Sequence, residues 1–394
     1  SKCPYFSADA IATLSEATAP LMKTIEIGNG LKLGGETVLF RHEKTLVNHN
    51  LFSVSVDTNM DAATVDAKLV DMAKVDYERI GERMYVETIT VSNRGSDVAA
   101  YTALVEKAAA TGRTLILECW DVDCAKAALE VCKAGKPVLN GATPNNWEAM
   151  NELATAAGVT LGVWAENISD LYDTVKNLEG KGNKNLILDV TAATAKETLA
   201  NAVNVRRTAL KDGDRSFGYP SIVNLTRFAK NNQHLQTAYA TMFVEKYGSI
   251  IVMDEMTYAQ ALPLYGLRQN IFTDPQKPMK VEAKIYPLNG ENAPCCLTVD
   301  FALTYFLVSG ELERANTPVN LLITDASGMS VLTAWAAGKF SSSSIKKFFD
   351  ENDLDNKFKN HTLIIPGKVA VMKGEIQEKL PNWNVVVGPL EAVQ

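Results

Sequence analysis

The side chains best suited to chemistry are six cysteines (Cys3, Cys119, Cys124, Cys132, Cys295, Cys296) and four histidines (His42, His49, His234, His361). Thiolates and imidazoles hold metals or serve as nucleophile and base. Their spacing favours neither role. Cys119 falls in an expected strand, while Cys124 and Cys132 share one face of the helix after it. No C-x2-C pair or nearby histidine completes a tetrahedral set, so buried, reduced thiols are expected. His42, in FRHEK (40–44), reads as a packing residue. The run GNGLKLGG (28–35) misses the dinucleotide spacing and reads as a turn before Val38. The G-x-S-x-G, P-loop and H-E-x-x-H patterns do not occur.

The stretch SGMSVLTAWAAGKF (327–340) offers a different chemistry. A strand ending in Asp325 runs into Ser327-Gly328 and then a helix expected to begin near Met329–Ser330. The first amides of such a helix are free donors for polar groups of a ligand. A plain helix capped by its serine is the competing account. Thr298 and Thr304, with Phe301, Tyr305 and Phe306 between or beside them, fall on the neighbouring edge and could line one cleft. Aromatic residues there more often form core than contact a ligand.

Eight short apolar runs precede this region: 51–57, 84–91, 114–121, 137–142, 160–166, 185–190, 221–226 and 249–255. They are rich in β-branched residues and do not alternate, which predicts strands buried on both faces. Between them apolar residues recur at helical spacing, as in Val65, Leu69, Met72 and Val75. Eight strand–helix units predict a closed (β/α)8 TIM barrel. A polar residue stands at or just past each strand end: Asp57, Asn93, Asp121, Asn140, Glu166, Asp189, Asn224 and Asp254. That edge is the mouth where barrel chemistry is found, although caps and turns also want Asp and Asn there. TDPQKPMK (273–280) reads as a boundary. Beyond it, strands at 295–301, 320–326, 361–367 and 382–389 with intervening helices predict a small doubly wound sheet. Ligands of such sheets sit outside the carboxyl ends of the strands, here Thr298–Asp300, Asp325–Gly328, Gly367 and Gly388–Pro389.

The 394 residues suit about two to three domains. With 39 Lys and Arg against 46 Asp and Glu, the net charge of −7 disfavours a nucleic-acid surface. No apolar run reaches the roughly 18–20 residues needed to span a bilayer. Reduced cysteines and the missing disulfide framework suggest a cytoplasmic protein.

Several runs carry a resemblance: GGETVLFRHEKT (34–45), RSFGYP (215–220), LRQNIFTDPQ (267–276), GMSVLTAWAAGKF (328–340), DNKFKNHTLIIPGKVAVMKGEI (355–376) and NWNVVVGP (382–389). They resemble the large (gamma) subunit of the corrinoid iron–sulfur protein of the carbon monoxide dehydrogenase/acetyl-CoA synthase (Wood–Ljungdahl) pathway, over essentially the whole chain. The resemblance implies a TIM barrel at 36–275 and a Rossmann-like, cobamide-binding domain at 276–394. Residues 1–35 would be the remnant of an N-terminal iron–sulfur domain and its linker. Cys3, in KCPYF, matches the last of four 4Fe–4S ligands. The other three would lie upstream in a C-x2-C-x4-C arrangement that this sequence does not contain, so the cluster is expected only if those ligands exist in the native chain.

Implied corrinoid contacts are Thr298, Thr304, Gly328, Met329, Ser330, Val331 and Ala392. The run after Gly388-Pro389 departs from the family at Leu390. The implied function is a methyl carrier that takes a methyl group from a methyl-tetrahydropterin (folate or sarcinapterin) on cobalt(I) and passes it to acetyl-CoA synthase. Implied partners are a small (delta) barrel subunit, the methyl-tetrahydropterin methyltransferase and acetyl-CoA synthase. The D-x-H-x-x-G motif, which offers cobalt an imidazole in other corrinoid modules, is missing; cobalt(I) disfavours such a nitrogen donor. Two other accounts remain: a stand-alone pterin-dependent methyltransferase working from Asp57, Asn93, Asp121, Asn140, Asp189, Asn224 and Asp254, and a ligand-free scaffold. The family pattern makes the barrel a docking body in preference to a catalyst.

Overall fold

A computed structural model describes residues 7–40, 46–95, 97–273, 279–286 and 289–393. Cys3, His42 and both prolines of TDPQKPMK lie outside the described residues. The chain forms two compact units, Ser1–Phe272 and Thr273–Gln394.

The first unit is a closed barrel of eight parallel strands. These are β1 (Leu51–Asp57), β2 (Thr88–Ser92), β3 (Thr114–Glu118), β4 (Val138–Ala142), β5 (Thr160–Trp164), β6 (Leu186–Asp189), β7 (Ser221–Asn224) and β8 (Ile250–Met253). β8 closes on β1, with Ile250 opposite Leu51 and Met253 opposite Val54. Almost every strand residue is buried, as expected where helices cover one face and the barrel interior the other. Each strand leads to a helix: α1 (Ala62–Ala73), α2 (Val98–Ala109), α3 (Val122–Cys132), α4 (Trp147–Ala157), α5 (Ile168–Gly180), α6 (Ala195–Leu210), α7 (Gln233–Glu245) and α8 (Tyr258–Ile271).

Short polar side chains start most of these helices. Asp61, Asp97, Asp121, Asn167, Thr194, Asn232 and Thr257 each accept an amide of the first turn, worth about 1 kcal/mol apiece. Asp121 is therefore a cap.

One local expectation fails. The run 84–91 is not one strand: Met84 and Tyr85 belong to a hairpin of Asp76–Arg79 with Glu82–Tyr85, and the barrel strand begins at Thr88. The glycines at 28 and 30 do form a turn, but it joins antiparallel strands Thr24–Ile27 and Leu31–Gly34. Arg215, in RSFGYP, donates to the carbonyls of Ala19 (2.8 Å) and Pro20 (2.9 Å), just past the helix Ala8–Thr18.

The second unit is built on a five-stranded sheet. Its strands are β9 (Ile285–Tyr286), β10 (Cys295–Val299), β11 (Asn320–Thr324), β12 (Thr362–Ile365) and β13 (Asn384–Val387), in spatial order β9-β11-β10-β12-β13. All pairings are parallel except β9 with β11. The antiparallel β9 is absent from the four-strand expectation; two residues are too few to carry a periodic signal. The helices are α9 (Ala302–Arg314), α10 (Val331–Ala336), α11 (Ser342–Glu351) and α12 (Lys373–Lys379), besides a single four-residue turn at Leu354–Lys357. The core gathers Leu297, Leu322, Phe340, Ile345, Phe349 and Trp383. Each such side chain contributes about 1.5–3 kcal/mol by burial. α9 differs from the other long helices: only Ala302 is buried, and Leu303, Phe306 and Leu307 are exposed.

Candidate functional site

In the second unit the chain passes from β10 to β11 on one side, whereas β12 and β13 lie on the other. Crevices form at such reversals, outside the carboxyl ends of the strands. A cavity of about 560 Å³ opens there. Leu297 and Thr298 of β10 and Ile364 and Ile365 of β12 form its floor. Thr304, Leu307, Val308 and Leu312 of α9 form one wall, the segment Gly388–Val393 another, and Ser330–Leu332 the rim. The lining is mostly apolar, and Leu307, Leu332, Leu390 and Val393 remain strongly exposed. An open apolar rim of this kind marks a surface that something covers.

One polar atom stands out. Thr298 is 2% exposed, and its Oγ1 has no hydrogen-bond partner. An unmatched buried hydroxyl costs about 1–3 kcal/mol. Here it belongs to a residue lining the cavity, where a ligand could satisfy it. Two ion pairs stand at the edge: Arg314 with Glu311 (2.6 Å) and Lys368 with Glu391 (2.7 Å). Among the described residues, no histidine lines the cavity.

The rim is held from beneath. Asp300, 1% exposed, accepts the amides of Ala326 (2.9 Å) and Gly328 (3.0 Å). Burial lifts its carboxyl above the usual carboxylate range, against those two amides and Lys280, while Asp325 adds to the rise. Asp325 is shifted the other way, held down by the Ser327 amide and by Lys280. Lys280 Nζ lies 3.9 Å from Asp300 and 3.8 Å from Asp325. Ser327 and Gly328 both take left-handed backbone angles, φ 59° and 72°.

The residues singled out in the sequence fall into two groups. Thr298, Thr304, Ser330, Val331 and Ala392 line the cavity. Gly328 and Met329 do not: Gly328 faces Asp300, and Met329 packs against the core. Ser330 precedes α10 but its hydroxyl pairs with Thr333 (2.9 Å) and caps no amide. Tyr305 packs against Tyr286 and Phe306, and these aromatics lie outside the cavity lining. Gly367 and Gly388 serve chain packing. A Cβ on Gly367 would come within 2.5 Å of the Pro389 carbonyl, and one on Gly388 within 3.2 Å of the Ile365 carbonyl. Asp300 was placed at a strand end by the local reading, but its loop partners were not; Lys280 and Lys368 carried no local signal, because their partners are set by the fold.

The barrel mouth is a different kind of place. Arg227 Nη2 lies 2.8 Å from Asp189 and 3.2 Å from Glu118, and Arg94 lies 3.3 Å from Glu118. Asn224 donates to Glu118 (2.9 Å) and Asn140 to Asp189 (3.0 Å). Burial works against the Arg227 charge, but Asp189 and Glu118 outweigh it and the guanidinium is held charged. Asp57, Asn93 and Asp189 also accept local amides. Asp254 accepts the Asn231 amide and Gln236. The polar strand ends thus largely serve turns, caps and one another. A cavity of about 220 Å³ remains beside Ser55, Arg94 and Lys230.

Among the described residues no group of three or more His, Cys, Asp or Glu could hold a metal ion. Cys119, Cys132, Cys295 and Cys296 are free. Desolvation raises Cys119, Cys132 and Cys295 to about 12 and Cys296 to about 11, which marks inert thiols. Among the described residues no helix is long and apolar enough to cross a membrane.

The family model for the CO dehydrogenase/acetyl-CoA synthase delta subunit matches residues 24–394. The corrinoid/iron–sulfur protein large subunit of Moorella thermoacetica is 38% identical, over 99% of this chain and 88% of that protein. The acetyl-CoA decarbonylase/synthase complex subunit gamma of Methanothermobacter thermautotrophicus is 28% identical, over 99% and 88%. Dihydropteroate synthase from Thermus thermophilus is similar at a TM-score of 0.45 and 14% identity, over 63% of this chain and 99% of that one. That likeness is too distant to bear on function. The delta label comes with the family model and the large or gamma label with the relatives. By the extent of both matches, the chain belongs to the family of the corrinoid/iron–sulfur protein large subunit and the acetyl-CoA decarbonylase/synthase gamma subunit.

Proposed function

We propose that the chain is a corrinoid-dependent methyl carrier whose second unit is a Rossmann-like module that holds a cobamide. The observation that carries this reading is the apolar cavity at the carboxyl ends of β10 and β12, with the unmatched Thr298 hydroxyl in its lining. The donor set fits the group. A cobamide offers apolar ring and base surface together with amide, hydroxyl and phosphate oxygens that can accept the Thr298 hydroxyl. Thr298, Thr304, Ser330, Val331 and Ala392 would hold it, with the exposed side chains of Leu307, Leu332 and Leu390 covering its apolar surface.

When bound, the corrinoid supplies a cobalt that accepts a methyl group in its reduced state and gives it up to a second acceptor. The chain's own part is to bind and to shield. Apolar walls exclude water, the Thr298 hydroxyl orients one acceptor, and no imidazole is offered from the described residues of the lining. No side chain need act as nucleophile. The donor would be a methyl-tetrahydropterin served by its methyltransferase, the acceptor acetyl-CoA synthase, and the structural partner a small delta-type barrel subunit. The cytoplasm, which keeps thiols reduced, suits the buried thiols Cys119, Cys132 and Cys295. A 4Fe–4S cluster at Cys3 belongs to this proposal only if three further ligands exist in the native chain.

The barrel mouth gives less support to a stand-alone pterin methyltransferase. Its carboxylates are neutralised by Arg94 and Arg227 and bonded to local amides, so a pterin would have to displace partners that already fit.

Anaerobic purification followed by visible spectroscopy tests the carrier reading. Corrinoid bands, or saturable binding of added methylcobalamin, are expected. Neither bands nor binding, in a folded chain and in the presence of the partner subunit, would end it.

A further inference from the structure

We infer that Asp300 is a positioning residue for the corrinoid site: its charged carboxylate holds the loop Ala326–Ser330, and so the Ser330–Leu332 rim of the cavity, in the shape that binds the group. This inference rests on the corrinoid reading and adds a residue that touches no ligand in it.

Asp300 follows β10, two residues after Thr298, and is almost wholly buried. Its Oδ1 accepts two amides of the neighbouring loop, Ala326 (2.9 Å) and Gly328 (3.0 Å), and its Oδ2 lies 3.2 Å from the Gly328 amide. A buried carboxylate that takes two amides of one loop fixes the path of that loop; a neutral acid at the same place gives up acceptor capacity. The loop needs fixing. Ser327 and Gly328 adopt left-handed angles in succession, and at Ser327 that conformation is unfavourable on its own. The helix that follows, α10, has only six residues and no side-chain cap, so it does not anchor the rim by itself. Floor and rim therefore meet at one carboxylate: β10 places Thr298 on the cavity floor and Asp300 under the loop that ends in the rim.

The charges around Asp300 set when this clamp is engaged. Lys280 faces both Asp300 and Asp325, Asp325 lies beside it on the loop, and Lys339 acts on Asp325. Burial and Asp325 make Asp300 harder to ionise than an ordinary carboxylate, and Lys280 opposes them. Corrinoid affinity should accordingly be full at neutral pH and fall in mildly acidic solution, as the carboxylate takes up a proton and the clamp loosens.

The experiment measures methylcobalamin binding to the full chain, in the dark, by equilibrium dialysis and tryptophan quenching between pH 4.5 and 8, bounds chosen at about the ordinary carboxylate range and above. Asp300→Asn should weaken binding about ten-fold or more at pH 7.5 and flatten the pH profile. Lys280→Met, which keeps the carboxylate, should leave affinity at pH 8 close to wild type but move the acidic midpoint upward, a shift that a merely structural role would not produce. Gly328→Ala, strained at φ 72°, should weaken binding without moving the midpoint. Circular dichroism confirms folding of each variant; if Asp300→Asn fails to fold, the Lys280→Met midpoint decides. A folded Asp300→Asn chain with wild-type affinity, or an unmoved midpoint in Lys280→Met, overturns the inference. Absence of binding by the wild-type chain instead overturns the corrinoid reading, so the two failures are distinct.

Discussion

The amide of Gly367 donates to the carbonyl of Pro389 at 3.1 Å, and this bond draws the C-terminal segment against the end of β12. Gly388 adds a second link, donating to the Ile365 carbonyl at 2.9 Å. One cavity wall therefore depends on two backbone bonds and on space that only a missing side chain leaves. The sequence placed these glycines at strand ends where a ligand would sit; what comes close to them is the chain itself.

Gly367→Ala should move that wall. Its Cβ would sit 2.5 Å from the Pro389 carbonyl and 2.6 Å from that of Gly388, both backbone atoms that cannot swing away. A loss of roughly 1–3 kcal/mol in the stability of the second unit is expected. Methylcobalamin binding should weaken with it. Thermal unfolding and a binding titration check both; unchanged affinity would show that the Gly388–Val393 wall is not part of the site.

Thr298→Val separates the cost of the site from its use. The swap keeps the shape and removes a hydroxyl that has no partner. The ligand-free chain should gain about 1 kcal/mol in denaturant unfolding, because a desolvated polar group is removed. Corrinoid affinity should fall several-fold. A variant that loses both stability and affinity would instead assign Thr298 to packing.

Arg227→Met should be felt in the barrel alone. It leaves the buried carboxylates Asp189 and Glu118 without their shared guanidinium, a loss of about 3–5 kcal/mol where one partner of a buried pair is removed. Urea unfolding followed by a probe in the barrel should show it. Methylcobalamin affinity should stay at the wild-type value, since none of the described barrel residues lines the cavity.

The free cysteines predict an alkaline limit. Burial holds Cys119, Cys132 and Cys295 at about 12, above the ordinary thiol value. The folded state keeps these thiols neutral while the unfolded chain ionises them, so stability is intact below about pH 8.5 and declines as pH rises beyond it. Iodoacetamide at pH 8 should leave these three thiols largely unmodified in the native chain and alkylate them in urea, read by mass spectrometry. Rapid native labelling of Cys119 would contradict its burial.

How much of this was legible beforehand follows from how far apart the partners stand. The barrel strands could be read because a strand covered on both faces needs an unbroken apolar run, as in Leu186–Leu188. Caps such as Asp121 could be read because the accepting side chain and its amide are three residues apart. Thr298 was suggested by its resemblance to a family position, yet its lack of a partner is a property of the folded cavity. The Arg227–Glu118 pair spans 109 residues and the Asp300–Gly328 bond 28, and no local pattern joins them. β9 escaped because two residues show no period.

Asn140 constrains how this barrel can change. Its side chain bonds Asp189, and it fills the space beside Gly162 on the adjacent strand; a Cβ there would collide with the Asn140 amide oxygen and lie 2.7 Å from its Cα. The amide oxygen could swing away, but the Cα belongs to the backbone and stays whatever residue stands at 140. Gly162 should therefore be held in a library even beside a smaller residue at 140, and shrinking Asn140 would only strip Asp189 of its amide donor.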